Sequence, residues 1–484
     1  MTTLSTSSST TPLSATARNA KDAPRVTDFA PRWHQDVARE GPDFYARMQR
    51  EAGDVVVFPL GKYRWIQVSH PDDVERICRQ SHRTFDKGLA WQNFRVLAGN
   101  GLISTEPRWW ATHRQVLQPA FLRCYHERFA QRVSQSVDET TAHWRALPAG
   151  TTLKIVDEMS HLTLRNAGHT LFGVEWKDEI AQISQCVTRV LDYLNHWYEY
   201  PLHKRLAGRY LRRTVHARFG RDLRTLEKLA QNVVSQRQKL PRTNEINGQA
   251  NGEEPDDVLR LLLRALDDAS RQLGRKMNRW QRARFLRDNI LTFIFTGHET
   301  TSICASWTWH LLAQHPEVER KLHDELDRVL DGRTPTRDDL PHLPYLKQVV
   351  LESLRLYPPV WIFVRQTTQE ENIGGYTLPR GSMLNIQPYV VHRHADFWPE
   401  PERFDPERFA PDTKNAEHSF AYIPFGGGPR MCLGRQTALI EAQLIVAGLA
   451  QHFQLRSAPD VEIKPLASMT LLPSHGLPMI LCKR

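Results

Sequence analysis

The sequence predicts a mainly α-helical protein with a minor β-sheet region, folded as one large domain. Apolar residues recur at helical spacing through long stretches after residue 119, including residues 121–147 and 178–198. A very apolar helix is expected from about residue 280 to residue 314, where His315-Pro316 ends it. Three further helices are expected toward the C-terminus, at residues 318–330, 345–356 and 433–453. Helices therefore account for most of the chain.

Strand patterns are short and confined to three regions. These regions are residues 55–69, 367–386 and 461–482, and the first is expected to be a hairpin that turns at Gly61-Lys62. No internal repeat and no obvious linker divides the chain, so we expect a single domain over residues 27–484.

Two segments are expected to lie outside the folded core. Residues 1–26 are rich in Ser and Thr and predict a disordered tail, with an organelle transit peptide as the weaker alternative. Residues 241–255 are rich in Asn, Gly and Glu and predict a mobile loop.

The positive charge of the chain is concentrated in one segment. The whole sequence has 64 basic and 54 acidic residues, a formal charge of +10. Residues 201–242 contain twelve Lys and Arg residues but only Asp222 and Glu227, so this segment accounts for the entire excess. Such a localised charge argues against a nucleic-acid-binding protein. It leaves open a solvated helix face, or attraction to an anionic membrane or an acidic carrier protein.

Cysteine spacing and hydropathy bear on the compartment. The six cysteines are spread over the chain without a C-x-x-C pair, which argues against a disulfide framework or a structural zinc site and favours a reducing compartment. No stretch approaches 18 consecutive apolar residues, and the N-terminus lacks the apolar run of a secretory signal. We therefore expect a cytoplasmic protein.

One cysteine lies in a sequence that suggests chemistry. Residues 425–434 read Phe-Gly-Gly-Gly-Pro-Arg-Met-Cys-Leu-Gly, directly before the last predicted helix. Three glycines permit a tight turn and a close approach to a flat ligand. The helix N-terminus should lower the pKa of Cys432, and Arg430 could pair with a carboxylate of the ligand. The alternative is a Gly-rich loop with an inert buried cysteine.

This segment, hereafter the Cys loop, resembles the pattern of the cytochrome P-450 family at Phe425, Gly428, Arg430, Cys432 and Gly434. The resemblance extends from about residue 28 to the C-terminus and implies that family's fold, enclosing haem b. It implies that Cys432 is the axial thiolate ligand of the haem iron.

The resemblance also implies contacts from the rest of the Cys loop and activation of dioxygen as co-substrate. Phe425, Gly426 and Arg430 are expected to contact the haem.

Residues 296–301, Thr-Gly-His-Glu-Thr-Thr, resemble the family's oxygen-activation motif. A carboxylate inside an apolar helix is costly to bury without a partner or a function. A threonine hydroxyl can bond to a carbonyl of its own helix and bend it, eased by Gly297. The resemblance implies that Glu299 and Thr300 relay protons. Thr296 departs from the small residue usual in the family and predicts a narrower or more polar pocket.

Three further motifs appear in the family's order. Glu352 and Arg355, spaced i, i+3, are expected to form a buried structural ion triad with Arg408. Trp110 and Arg114 match W-x-x-x-R and, by resemblance, bind one haem propionate; Arg365 is expected to bind the other. Solvated cations whose stems pack on the core remain the alternative for the haem-binding arginines.

The substrate pocket can be predicted by position only. Its candidate residues are mostly apolar and favour a hydrophobic substrate such as a fatty acid, a terpenoid or a polyketide-like compound. Core packing is the alternative for each of them. The candidates are Trp91, Phe94, Leu97, Phe293, Thr296, Trp361, Phe363 and Leu471.

Electrons for a monooxygenase would have to come from another protein. The last helix and the terminal strands use the residues after Cys432, so no flavin or iron–sulfur segment is expected there. A separate ferredoxin or flavodoxin-type donor, fed by NAD(P)H through its reductase, is implied. Two alternatives are a peroxide-driven haem-thiolate hydroxylase or decarboxylase and a non-catalytic haem-binding protein. The Glu299-Thr300 pair argues against both.

Overall fold

A computed structural model describes most of the chain. The described residues are 18, 19, 22–60, 63–88, 90–105, 107–121, 126–176, 179–199, 209–239, 259, 262, 263, 266, 278–413 and 418–484. The predicted mobile loop at 241–255 lies outside them.

Helices dominate the described part of the chain, as predicted. In chain order they are α1 Val26–Phe29, α2 Trp33–Glu40, α3 Asp43–Ala52, α4 Pro71–Arg79, α5 Ala90–Ala98, α6 Pro107–Leu117, α7 His126–Ala146, α8 Ile155–Ala167, α9 Ile180–Glu199, α10 Arg209–Lys239, α11 Arg279–Gly297, α12 Glu299–Gln314, α13 Pro316–Leu330, α14 Pro344–Leu356, α15 Pro388–Val391 and α16 Arg435–Ala450. Within the described ranges, no helix is both long and apolar enough to cross a membrane.

The strands form small sheets at the edges of the helical body. In chain order they are β1 Arg18–Asn19, β2 Val55–Leu60, β3 Tyr63–Val68, β4 Phe85–Asp86, β5 Thr152–Lys154, β6 Phe363–Thr367, β7 Glu371–Ile373, β8 Tyr376–Leu378, β9 Met383–Ile386, β10 Phe453–Ser457, β11 Pro465–Ala467, β12 Leu471–Pro473 and β13 Pro478–Lys483. The largest sheet has the order β2-β3-β9-β6-β4, and the predicted hairpin is its β2–β3 edge.

The boundary predicted for the N-terminal tail is too far along the chain. Arg18–Asn19 pairs in parallel with β8, and the carbonyl of Pro24 accepts a 2.8 Å hydrogen bond from the backbone of Val57. Ala23 and Val26 are buried. The tail is therefore tied to the sheets before residue 26, because these small apolar side chains fill a gap beside β2. Residues 1–17, 20 and 21 lie outside the described residues.

The long apolar helix of the prediction is two helices. Asn278 and Gln281 form a capping box that begins α11, and α12 ends at Gln314. The two helices meet at His298, whose backbone angles of −111° and −47° interrupt the hydrogen-bond ladder. Around this junction, α12 packs against α8, α14 and α16, so the break lies deep inside the domain.

An ion cluster locks α14 to the segment that precedes the Cys loop. Glu352 and Arg355 form a fully buried ion pair with an N···O distance of 2.7 Å, and the Nε of Arg408 lies 3.4 Å from Glu352. Arg355 also donates to the carbonyls of Pro401 and Arg403. These bonds satisfy the buried guanidinium and tie three chain segments together.

The basic segment is described only in part. Asp222 pairs with Arg189 at 2.7 Å, and Glu227 pairs with Arg287, so both acids are neutralised by neighbouring helices. Four cations of the described part of α10 are exposed. They are Arg218, Arg221, Arg224 and Lys228. Whether this face is only solvated or attracts a membrane or an acidic carrier protein stays a prediction.

We expect Arg355→Met to lower the free energy of unfolding by about 3–5 kcal/mol, because it leaves the Glu352 carboxylate buried without its main partner. Urea denaturation measures this change. Arg403→Ala is the matched control, since that side chain is 62% exposed, and its denaturation midpoint should equal that of the wild type. An Arg355→Met protein as stable as the wild type would contradict the structural role of the pair.

Candidate active site

The Cys loop turns sharply before α16. Gly426 and Gly428 have φ angles of +67° and +64°, which favour glycine. The backbone N–H of Cys432 donates to the carbonyl of Phe425 at 2.9 Å, and a 3₁₀ turn covers Gly428–Arg430. Phe425 packs against the core around α12 and α16. This hydrogen bond closes the loop and holds Cys432 at its end.

Close contacts with other parts of the protein explain why positions 427 and 428 of the loop are glycines. A Cβ at Gly428 would lie 2.3 Å from the carbonyl oxygen of Cys78 in α4, and one at Gly427 would lie 2.4 Å from the Phe420 ring. A Cβ at Gly426 would meet no described atom within 4 Å. Close contact with α4 and Phe420 therefore accounts for the glycines at 427 and 428, and their approach to a flat ligand stays a prediction.

The pKa of Cys432 is raised, although the helix N-terminus was expected to lower it. Desolvation by the surrounding protein raises the pKa of the thiol although the residue keeps accessible surface, and the backbone N–H of Gly434 and the charges of Arg114 and Arg435 lower it only in part. The prediction counted the helix terminus and omitted desolvation, which penalises a thiolate. A positive ion bound to the sulfur would reverse this balance.

The α11–α12 junction presents a polar face inside an otherwise buried helix pair. Between residues 288 and 312 every residue is buried except Thr296, Gly297, Glu299 and Thr300. The Thr300 hydroxyl donates to the carbonyl of Thr296 at 3.0 Å, and that of Thr296 donates to Thr292. As predicted for a threonine here, the hydroxyl satisfies a carbonyl freed by the break.

Glu299 has one side-chain hydrogen bond among the described residues. The Thr470 hydroxyl, in the turn between β11 and β12, donates to its carboxylate at 3.1 Å. Burial raises the pKa of Glu299 to about 7, and the charge of Asp192 adds to the rise. The acid therefore exchanges its proton near neutral pH, as a proton-transfer group must.

The Cys loop and the junction lie beside the same apolar core. Leu433, next to Cys432, packs against the cluster that contains Phe293 and Ile294 of α11. Phe425, at the other end of the loop, packs against the cluster that contains Ala305 of α12. Two residues of the loop thus pack on the two core clusters to which α11 and α12 contribute side chains.

Positive charge is buried close to the Cys loop. Two nitrogens of Arg430 and the Nε of Arg365 are buried without a hydrogen-bond partner among the described residues. Burial lowers the pKa of Arg430 to about 10, and the nearby charge of Arg365 lowers it further. The Arg430 guanidinium lies 4.4 Å from the centre of the Trp110 ring. A buried guanidinium with unpartnered nitrogens, such as that of Arg430, requires an anion.

Arg114 lies near Trp110, as their spacing predicts, and it also contacts the Cys loop. Its guanidinium donates to the carbonyl of Met431 at 2.7 Å, so its visible contact is the Cys loop itself. It lies 5.8 Å from the Trp110 ring centre and is electrostatically coupled to Cys432. The i, i+4 spacing places the two side chains together, but Arg430 is the cation closer to the indole.

Comparison with known proteins decides the family. The model of the cytochrome P450 family matches residues 33–482. The chain belongs to the cytochrome P450 family. Pentalenene oxygenase of Streptomyces avermitilis is 31% identical over 434 residues, 89% of this chain and 91% of that protein. Cyclooctat-9-en-7-ol 5-monooxygenase of Streptomyces melanosporofaciens is 33% identical over 413 residues, 85% and 84% of the two chains.

Family membership confirms the predicted fold class and reaction class. This cytochrome P450 is a haem-thiolate monooxygenase that acts on a hydrophobic substrate with dioxygen and requires a redox partner. The described residues fit the haem. The unpartnered nitrogens of Arg430 and Arg365 suit its propionates, and the accessible Cys432 is the soft ligand that iron accepts.

Several residues predicted for the substrate pocket are core residues. Leu97 and Leu471 have no accessible surface, and Phe94, Phe293 and Trp361 are at most 8% exposed. Phe363 and Thr296 are half-buried and keep an accessible face. The side chain of Trp91 lies outside the described residues. Periodicity did not separate these cases, because packing and pocket residues share the same apolar spacing.

The sequence reasoning missed a buried lysine beside the arginines. Lys87 donates to the carbonyl of Ile103, and burial, followed by the charges of Arg430 and Arg365, lowers its pKa well below the usual value. Only its position in Phe-Asp-Lys-Gly, between α4 and α5, could have drawn attention to it. The lysine adds a third cation to the pair.

A second buried acid was also missed. Glu441 of α16 accepts a 2.8 Å hydrogen bond from Asn166 of α8 and bonds to the Thr301 hydroxyl. Burial raises the pKa of Glu441 to about 8. A glutamate in the apolar run of the last helix was the available signal. Because Glu441 bonds to Thr301, the residue after Thr300, a protonated acid lies next to the predicted oxygen-activation motif.

We expect Arg430→Met to release haem at least about tenfold faster, because a charge-assisted bond to a propionate contributes about 1.5–3 kcal/mol. Transfer of haem to apomyoglobin measures the rate. Arg435→Met is the control, since that arginine is exposed one helical turn beyond Cys432. Equal release rates for all three proteins would remove Arg430 from the haem site.

Glu441→Gln should change how stability depends on pH. The pKa of this acid is raised from 4.5 to about 8 on folding, so between these values the folded state holds a proton that the unfolded state has released. Wild-type stability therefore falls as pH rises through this window, by about 1.4 kcal/mol per pH unit from this group, and the variant lacks that loss. Urea denaturation at several pH values measures it. Parallel curves for the two proteins would contradict a buried protonated Glu441.

Proposed function

We propose that this cytochrome P450 hydroxylates a terpenoid hydrocarbon, with Cys432 as the axial ligand of haem b. The observation that carries the proposal is the Cys loop, which a 2.9 Å hydrogen bond from Cys432 to Phe425 closes, together with the unpartnered nitrogens of Arg430 in the same loop. Thiolate-ligated haem, when bound, supplies reductive activation of dioxygen and insertion of one oxygen atom into a carbon–hydrogen bond.

The buried cations hold the propionates in this proposal. The charges of Arg430 and Arg365 lower the pKa of Lys87, the charge of Arg365 lowers that of Arg430, and Asp86 lies 4.0 Å from Arg430. Two propionates neutralise them better than one distant acid. Trp110 covers one face of Arg430, and Arg114 braces the loop through Met431. Phe425 and Gly426 form the accessible wall of the loop.

Glu299 and Thr300 hold and deliver protons in this proposal. A carboxyl group with a pKa of about 7 can give up a proton and regain it at neutral pH. The Thr300 hydroxyl bonds to the helix carbonyl of Thr296 and can donate instead to an oxygen in front of the junction. In this proposal, protons pass between the Glu299 carboxyl group and the Thr300 hydroxyl along the polar face of the α11–α12 junction.

The terpenoid assignment rests on the relatives and on the lining. The printed names of the two relatives are those of enzymes acting on pentalenene and on cyclooctat-9-en-7-ol. Leu102, Ile103 and Met469 are half-buried and pack on the same cluster as Leu433. Apart from the hydroxyl of Thr296, these groups offer dispersion and hydrophobic contact rather than hydrogen bonds, which suits a hydrocarbon skeleton.

Electron supply is proposed to come from a ferredoxin or a flavodoxin-type protein, reduced by NAD(P)H through its reductase. Arg435 is exposed three residues after Cys432 and, like Arg114, is electrostatically coupled to it. An acidic donor would be attracted to this side of the loop. The proposed compartment is the cytoplasm, where such donors operate.

The carbon monoxide spectrum of the reduced protein is the first test, on wild type beside Cys432→Ala. Thiolate ligation predicts a strongly red-shifted Soret band that the variant lacks. A Soret band at the shorter wavelength of histidine ligation in the wild type would remove Cys432 as the ligand.

The substrate class is tested with a panel of cyclic terpenoid hydrocarbons, matched with fatty acids of similar size. The terpenoids should shift the ferric spin state and, with ferredoxin, its reductase and ¹⁸O₂, gain one labelled oxygen atom. A response to the fatty acids alone would overturn the terpenoid assignment and leave the reaction class intact.

A further inference from the structure

The turn between β11 and β12 is fixed from outside by three hydrogen bonds. Trp361 Nε1 donates to the carbonyl of Ser468 at 2.7 Å, and the N–H of Leu471 donates to the carbonyl of Pro359 at 3.0 Å. Trp307 Nε1, from α12, donates to the carbonyl of Leu471 at 2.7 Å. The backbone on both sides of Thr470 is therefore held against α12 and against the segment that precedes β6.

Thr470 projects its hydroxyl from this rigid turn to Glu299. The residue is 7% exposed, and its Oγ1 lies 3.1 Å from Glu299 Oε1. Among the described residues this is the only hydrogen bond of the Glu299 carboxyl group. Met469, beside Thr470, packs on the same cluster as Phe293 and Leu433. The turn thus contacts both the acid and the apolar lining.

We propose that Thr470 is the positioning residue of Glu299, and that its hydroxyl orients the carboxyl group for proton transfer. The proposal rests on the function proposed above for Glu299. It adds that the turn lining the substrate space also controls the proton-holding group. A carboxyl group without this bond is free to rotate about its side-chain torsions, because nothing else described holds its oxygens.

The hydrogen bond also opposes the other influences on Glu299. Burial and the charge of Asp192 from α9 raise its pKa, whereas the bond from Thr470 lowers it. His298, the neighbouring residue of the junction, is itself buried with a pKa lowered to about 4, so it is uncharged at neutral pH. Removal of the hydroxyl leaves burial and Asp192 unopposed, and the pKa of Glu299 should rise.

Thr470→Val tests the proposal, because it removes the hydroxyl and keeps the shape of the side chain. Thr470→Ser is the matched control that keeps the hydroxyl, and Thr470→Ala is a second variant without it. The substrate-free ferric holoenzyme is titrated by difference infrared spectroscopy, which follows the C=O stretch of a protonated carboxylic acid. Glu299→Gln assigns the band, since it abolishes the signal of that residue alone.

The midpoint of the Glu299 band should lie near pH 7 in the wild type and in Thr470→Ser. In Thr470→Val and Thr470→Ala it should move upward by about one pH unit. The fraction of NAD(P)H electrons recovered in product, with the panel hydrocarbon that shifts the spin state most, should fall several-fold in both variants. Thr470→Ser should restore it.

The roles proposed for Glu299 and for Thr470 can be contradicted separately. If Glu299→Gln lowers product recovery while Thr470→Val changes neither the band nor the recovery, the positioning role is overturned and the function of Glu299 stands. If Glu299→Gln leaves product recovery unchanged, the proton-transfer role of Glu299 is wrong, and the role proposed for Thr470 falls with it. Thermal unfolding of each variant, with the carbon monoxide spectrum, shows that the comparison is between folded holoenzymes.

Discussion

The interruption between α11 and α12 is the constraint from which the chemistry of this domain follows. A regular helix pairs each interior carbonyl with the N–H four residues further on. The break at His298 interrupts this pattern, and the Thr300 hydroxyl donates to the carbonyl of Thr296 beside it. The same break leaves Glu299 and Thr300 on the accessible face.

The Cys loop depends on a different constraint, close contact with protein. Gly427 and Gly428 have no room for a side chain against Phe420 and α4, and the bond from Cys432 to Phe425 closes the turn. The ion cluster of Glu352 and Arg355 anchors the preceding segment. Cys432 is therefore held by a closed, packed loop, and two nitrogens of Arg430 and the Nε of Arg365 have no hydrogen-bond partner among the described residues. Buried guanidinium nitrogens without a partner favour an anionic ligand.

Much of the site could be predicted because its motifs are local. The spacing of Glu352 and Arg355 predicted that they share one helix face, and the glycines before Cys432 predicted a turn. The apolar pocket was predicted less well, since Leu97 and Leu471 are buried in the core. Apolar spacing records that a side chain leaves solvent, and it carries no information on whether the neighbour is protein or substrate.

Contacts between segments that are far apart in the chain could not be predicted from the sequence. Glu299 and Thr470 are far apart in the chain, and so are Asn166 and Glu441, yet each pair shares a hydrogen bond. The pKa of Cys432 is another case, because the helix terminus is visible in the sequence and desolvation is not.

The sequence by itself determined the family, the helical class and the reaction class, and it predicted the cysteine ligand and the acid–alcohol pair, since each depends on residue types at short, regular spacing. Only the tertiary structure decided which cations gather at Arg430, which apolar residues keep an accessible face and what holds Glu299. Those depend on which segments the packed core brings together, and burial, the strongest influence on the charged groups, is a property of the packed core alone.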